Sequence, residues 1–260
     1  MNIFVFDIET VPDVDSGRRL HDLGGLSEKE IADIMYHLRR QETGGSEFLS
    51  HHLQRIVAIS AVFRQGDNVK VWSLGESDSS EKELIELFFA AVERYTPTLV
   101  SWNGSGFDLP VLHYRALLHG VSAPRYWETG EHDQGFRWNN YLSRYHSRHT
   151  DLMDVLAGFQ PRATARLDEI AGMLGFPGKM GMDGSKVWDT FRSGDVAAVR
   201  DYCETDVLNT YLVYLRYELI RGNLLQQEYD SECKLLHDML STSEHPHLQA
   251  FVQNWDANKY

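Results

Sequence analysis

The stretch Asn2-Ile3-Phe4-Val5-Phe6-Asp7-Ile8-Glu9-Thr10-Val11 decides how this chain is read. Its apolar, β-branched and aromatic residues predict a strand. Side chains alternate along a strand, so Asp7 and Glu9 project to one face, about 7 Å apart. Phe4, Val5, Phe6 and Ile8 are too apolar for an edge washed by solvent, which puts the two acids in or beside the interior. Ionised carboxylates buried without partners are strongly unfavourable. Three readings stay open from the strand alone: raised pKa values, a neutralising cation, or a solvated edge.

With 260 residues and 42% hydrophobic content, the chain can bury one large core, or a core with an appendage. It has no run of about 18 apolar residues, and no basic segment precedes its apolar start. Neither a membrane span nor a signal peptide is expected, and the default address is the cytoplasm. Cys203 and Cys233 fit no metal spacing and no disulfide framework, and read as ordinary helix-face residues in a reducing compartment. The net charge of −13 argues against broad adhesion to nucleic acid, which requires basic patches. It weighs against DNA packaging or repression more than against a nuclease, whose divalent cations need acids to hold them and can themselves grip phosphates.

Outward from the first strand, Pro12 to Gly25 has the composition of a loop. Ser27 and Glu30 form a capping box that starts a helix running to about Gln41, within a helical insertion over about 26–50. His51 and His52 are adjacent, face different ways, and read as solvent or hydrogen-bonding residues in preference to a metal site. Residues 55–63 and 69–74 read as strands joined by the turn Gln65-Gly66-Asp67-Asn68, making an antiparallel meander with the first. A helix over 80–95 and a short strand over 98–101 complete an α/β pattern with a mixed sheet.

The turn Trp102-Asn103-Gly104-Ser105-Gly106-Phe107-Asp108 leads into a helix. It sets Asp108 at the helix's positive end, near the C-terminal end of a strand. Residues 121–149 are irregular and aromatic, with Tyr126, Trp127, Phe136, Trp138, Tyr141 and Tyr145, and are read as packing the loop onto the domain. Leu167 to Leu174 reads as a short helix. Lys179 lies in a loop over 175–184 that fails the Walker pattern, because Met180 stands where Ser or Thr is required. The longest helical pattern, 194–220, puts Tyr202 and Asp206 one turn apart on one face. A last helix is expected over 224–240, followed by an irregular tail containing His245-Pro246-His247 and Trp255.

In order, these give Asp-x-Glu on the first strand, Asn-x-x-x-Phe-Asp at a strand-to-helix turn, and Tyr-x-x-x-Asp on a late helix. The set resembles the three motifs of the tyrosine branch of DEDD-superfamily 3′–5′ exonucleases. More closely it resembles predicted exonucleases related to the proofreading domain of family B DNA polymerases. Residues 55–60, the 178–184 loop and 201–214 are similar too, so the resemblance covers about 1–221, with 222–260 as a C-terminal helix and tail on the same domain. It implies a ribonuclease H-like α/β fold: a mixed five-stranded sheet with helices on both faces, the fifth strand near His149 to Leu152.

The resemblance implies two divalent cations, Mg²⁺ or Mn²⁺, about 4 Å apart. Asp7, Glu9 and Asp206 would hold one, and Asp7 would bridge to the second with Asp108 helping through its water shell. Tyr202 would orient the attacking water. Thr10, Asn103 and Phe107 would contact the terminal nucleotide, and Lys179 is a candidate phosphate contact. The implied substrate is the 3′ end of single-stranded DNA, or less readily RNA, with a repair or replication partner supplying affinity that the acidic surface lacks. One rival is a haloacid dehalogenase-like phosphatase, since Asp7-Ile8-Glu9-Thr10 is near Asp-x-Asp-x-Thr, but the later Asp-Asp pair is missing. Another is a non-catalytic binding module on a nuclease fold, although all five expected side chains are present.

Overall fold

The computed structural model describes residues 2–258. The opening stretch is the central strand, β1 (Asn2–Pro12). On one side β1 pairs antiparallel with β2 (Gln54–Gln65), and β2 with β3 (Asn68–Ser73). On the other it runs parallel to β4 (Thr98–Ser101), and β4 to β5 (His149–Asp151). The sheet order is β3-β2-β1-β4-β5, with the fifth strand where it was expected. Between β1 and β2 lie α1 (Val14–Leu20) and α2 (Glu28–Thr43). After β3 come α3 (Glu81–Tyr95), α4 (Asp108–His119) and α5 (Pro124–Trp127). After β5 come α6 (Leu152–Leu156), α7 (Leu167–Met173), α8 (Val187–Arg192), α9 (Val196–Ile220), α10 (Gln226–Ser241) and α11 (Pro246–Ala257).

Alternation along β1 sorts the core into two layers. Phe4, Phe6 and Ile8 join Ile59 and Ala61 of β2 beneath α3 and α4. Ile3 and Val5 point the other way, joining Val62 and Val100 beneath α9, with α7, α10 and α11 packed beyond. Each fully buried side chain of this size contributes about 1.5–3 kcal/mol. Asp7 and Glu9 continue the Ile3–Val5 row, so the α9 layer changes from apolar to acidic halfway along the strand. This two-layered mixed sheet is a ribonuclease H-like α/β fold. Among the described residues no helix is long and apolar enough to cross a membrane.

Two segments differ from the sequence expectation. Pro12–Gly25 is not simply a loop: Asp13 caps α1, accepting from the Ser16 amide at 3.1 Å. Gly17 makes the helix possible in its place, since a Cβ there would collide with Met35 of α2. The tail is also ordered as α11, because Pro246 occupies a first-turn position where its missing N–H costs nothing. Leu248, Phe251 and Trp255 are buried there against the α9–α10 layer. The Ser27–Glu30 capping box of α2 is formed, and Gly44 ends that helix at φ 75°.

A buried ionic cluster ties the other layer together. Arg115 of α4 makes a fork to Glu81 of α3, at 2.7 and 2.6 Å, and also bonds Asp13 after β1. Glu81 in turn accepts from the Ile56 amide at 2.7 Å. That amide sits where the β1–β2 pairing slips, Glu9 facing Ala58 and Thr10 facing Ile56, so that Val57 is skipped. The cluster therefore fixes the bulge beside Glu9. Arg115→Ala would leave buried Asp13 without its cation and Glu81 with His119 as its remaining side-chain partner, at 2.7 Å, and should cost about 3–5 kcal/mol in urea unfolding. A loss below about 1 kcal/mol would show that the cluster is not what holds this corner.

Candidate active site

Five side chains from three elements meet at the acidic end of the β1 row. Asp7 and Glu9 come from β1, Asp108 from the first turn of α4, and Tyr202 and Asp206 from successive turns of α9. β4 pairs with β1 only from Ile3 to Val5, which leaves the Ile8 amide without a strand partner. Asp108 Oδ1 takes that amide at 3.2 Å, so the start of α4 is pinned directly to β1.

The turn before α4 is shaped to permit this. Asn103 adopts φ 64°, and a Cβ at Gly104 would collide with Ser101 Oγ. Asp151, at the end of β5, accepts from the amides of Asn103 and Ser105 at 2.9 and 2.8 Å. His51 Nε2 lies 2.9 Å from the Gly106 carbonyl, and its ring packs on Phe107. Asp151 thus acts on the site through the backbone. Its sequence signal was an acid closing a short strand, and only the parallel β4–β5 register shows what it faces.

Burial dominates the electrostatics, and crowding of like charges adds to it at Asp7 and Glu9. Burial first, then Asp108 and Asp206, hold the Asp7 carboxyl well above the usual carboxylate range. Glu9 is raised in the same way, by burial and then by Asp7, Asp206 and Asp108. Burial lifts Asp108 to about 7 and Asp206 to about 6. The Tyr202 phenol lies beside Asp206, whose carboxyl it holds down against the effect of burial. Burial, Asp206, Glu9 and Asp7 push its own pKa far up, so the phenol keeps its proton. Cys203 lies against Asp7, its Sγ 3.4 Å from the Asp7 carbonyl and 3.5 Å from Oδ2. Burial and the neighbouring acids hold this thiol up and uncharged. It is therefore no ordinary helix-face residue, and periodicity alone could not reveal that, because any buried position of α9 looks the same in sequence.

Single donor atoms of Asp7, Glu9 and Cys203 lie within 4.8 Å of one another. With Cys203 neutral, the charged donors of the site are carboxylate oxygens, a hard set that fits Mg²⁺ or Mn²⁺ better than zinc. Two clefts flank the acids. One of about 680 Å³ is lined by Glu9, Thr10, Phe48, Phe107 and Trp188 among others, and brings Thr10 and Phe107 together but not Asn103. The second, about 330 Å³, holds Asn103, Lys179, Tyr202 and Asp206, and shares Gly184 with the first. Lys179 is not free there, since Asp183 pairs with it at 3.4 Å. Its loop is clamped by Asn209 of α9, which bonds both the amide and the carbonyl of Gly178 at 3.0 Å. Asn209 was missed in sequence, where the only hint is an amide on an otherwise apolar helix face.

Residues 46–255 match the model of a family described as predicted 3′–5′ exonucleases related to the exonuclease domain of PolB. The chain belongs to this family. The matched span includes Asn103, Phe107, Asp108, Tyr202 and Asp206 and begins after Asp7 and Glu9, so those two join the site by geometry. Over 147 residues the chain is 26% identical to the catalytic chain of DNA polymerase epsilon from Dictyostelium discoideum. That alignment takes in 54% of this chain and 6% of the polymerase. Family membership goes against the phosphatase alternative.

The raised carboxyls predict a pH-dependent response to metal. Folding lifts Asp108 and Asp206 above their unfolded values near 4, so the native state binds more protons in between. Their penalty is absent at acid pH and grows as pH rises through about 4 to 7. A divalent cation binds the deprotonated forms and offsets it. The Mn²⁺-induced rise in Tm should be clearly larger at pH 8 than at pH 5; an equal or smaller rise at pH 8 contradicts this picture.

Proposed function

We propose that this member of the family removes nucleotides one at a time from the 3′ end of single-stranded DNA. The observation that carries the reading is the meeting of four carboxylates and a protonated tyrosine at one end of the central strand, between two clefts. Asp7, Glu9 and Asp206 would hold one Mg²⁺ or Mn²⁺, and Asp7 with Asp108 a second. When bound, these ions supply charge neutralisation at the phosphate and a nucleophile available at neutral pH.

The chain's own groups then do the positioning. The Tyr202 hydroxyl, beside Asp206, would be a hydrogen-bonding post for the attacking water. With its pKa so far raised it does not act as the base. Thr10 and Phe107 would take the terminal nucleoside, its ring facing an aromatic wall of Phe107, Phe48 and Trp188. Asp33, Glu47 and Asp189 line the same cleft and disfavour any further phosphate there, which suits a strand that ends in this cleft. Asn103 and Lys179 face the second cleft. Lys179, exchanging Asp183 for a phosphate oxygen, would steady the strand.

A chain of net charge −13 gains little from long-range attraction to DNA, so a repair or replication partner delivering the 3′ end belongs to this reading. DNA is preferred to RNA because the matched family is related to a DNA polymerase domain. Two free cysteines suit a reducing, cytoplasmic setting.

The test is a 5′-labelled single strand incubated with Mg²⁺ or Mn²⁺. A ladder shortening by single nucleotides from the 3′ end is expected, faster on DNA than on RNA. Asp7→Asn should lower kcat by roughly 10³-fold or more, matching several kcal/mol of charge stabilisation. Tyr202→Phe should lower it by roughly 10²-fold without changing the products. Internal cuts, or degradation that survives Asp7→Asn, would sink the reading.

A further inference from the structure

A third cavity, about 360 Å³, shares Asn103 with the second cleft and has no role so far. Pro110, His113, Tyr126 and Arg144 are among its lining residues. Within it His113 Nε2 lies 2.9 Å from the Tyr126 hydroxyl, and burial lowers this histidine to about 4, while the charged lining is the Arg144–Asp154 pair. Beyond its rim, Tyr145 is 76% exposed, and its ring meets Phe159 edge-on at 5.2 Å. The Arg144 guanidinium lies 4.9 Å from the Phe159 ring. Phe159 holds φ 59°, a conformation costly for a bulky residue.

Charge singles out the same segment. Residues 137–166 contain five arginines against two aspartates, a local excess of +3 in a chain of net −13. The aromatic loop itself divides in two. Tyr126, Phe136 and Tyr141 are buried and pack it onto the domain, while Trp138 and Tyr145 remain in solvent. Packing therefore accounts for the first three rings and not for the last two.

We propose that the third cavity and the Arg144–Tyr145–Phe159 surface bind single-stranded DNA upstream of the nucleotide being removed. A base stacks on Tyr145, the adjoining cavity takes the next base through neutral hydrogen-bonding groups, and Arg144 contacts a phosphate. Arg144 now pairs with Asp154 at 2.8 Å, and such an exposed pair is weak enough to yield to a phosphate oxygen. The polarity of the strand rests on the exonuclease reading, whereas the binding surface does not depend on it.

Fluorescence anisotropy with an oligo(dT) of about twelve nucleotides, in Ca²⁺ to prevent turnover, tests the surface on the full chain. Tyr145→Ala should raise Kd roughly tenfold, as loss of one stacked base implies. Arg144→Gln should raise Kd and also lower the slope of log Kd against log salt by about 0.7, the value for one phosphate contact on a single strand. Tyr114→Ala, a half-exposed ring elsewhere on α4, should leave Kd unchanged. Unchanged Kd for both Tyr145→Ala and Arg144→Gln overturns the proposal, as does weakening seen only with an oligo(rU) of the same length. Incubating wild type with the same oligo(dT), 5′-labelled, in Mg²⁺ or Mn²⁺ separates the two readings. No shortening from the 3′ end, with binding still lost in the variants, removes the exonuclease reading and leaves the surface standing.

Discussion

Burial of four carboxylates side by side is the constraint around which this protein is built. Asp7, Glu9, Asp108 and Asp206 each have raised pKa values, and burial is the first cause in every case. Without a cation, the fold must hold groups together that would rather separate or keep their protons. It does so by drawing them from elements that are rigid for other reasons. β1 is central and paired on both sides, Asp108 is anchored to the Ile8 amide, and α9 is 25 residues long with most of one layer packed on it. The Arg115 cluster, on the opposite side of the sheet, fixes the bulge that ends the acidic row.

The neutral groups beside the acids serve the same constraint. Cys203 donates toward Asp7 and Tyr202 lies beside Asp206, and neither adds charge, because burial and the acids themselves keep the two protonated. Replacing either by a cation would quench the field that a divalent ion exploits. Arg144, paired with Asp154, and Arg148, stacked on Phe136, lie in the aromatic segment away from the acidic row, and on the proposed reading this separates holding a strand from holding a metal.

How much of this was legible in sequence follows from what kind of signal each part leaves. The β1 pair, the Tyr202–Asp206 spacing and the capping box at Ser27 are local patterns whose geometry is set by one element, and each is found in place. α1 was hidden because its sequence is polar and contains Gly17, and α11 because Pro246 reads as a breaker when it is in fact a helix start. Asp151, Cys203 and Asn209 share a different difficulty. Each acts on a residue at least 31 positions away, across the parallel β4–β5 pairing or from α9 to β1 and the Gly178 loop. Such contacts exist only once the topology has brought the elements together, so no local window of sequence contains them.

The last helix shows how far this coupling reaches. Cys203 touches Asp7, and Ser60 of β2 stands directly opposite Asp7 in the β1–β2 pairing. Ser60 and Ser73 of β3 are 2.8 Å apart, and Ser73 donates to Glu204 of α9 at 2.8 Å. Glu204 then meets His247 in the first turn of α11 at 2.8 Å, with Asp201 on the other imidazole nitrogen at 3.1 Å. The path runs from the strand position facing a site carboxylate through β2 and β3 to the C-terminal helix, so the seat of α11 and the strand pair opposite Asp7 share one chain of polar partners.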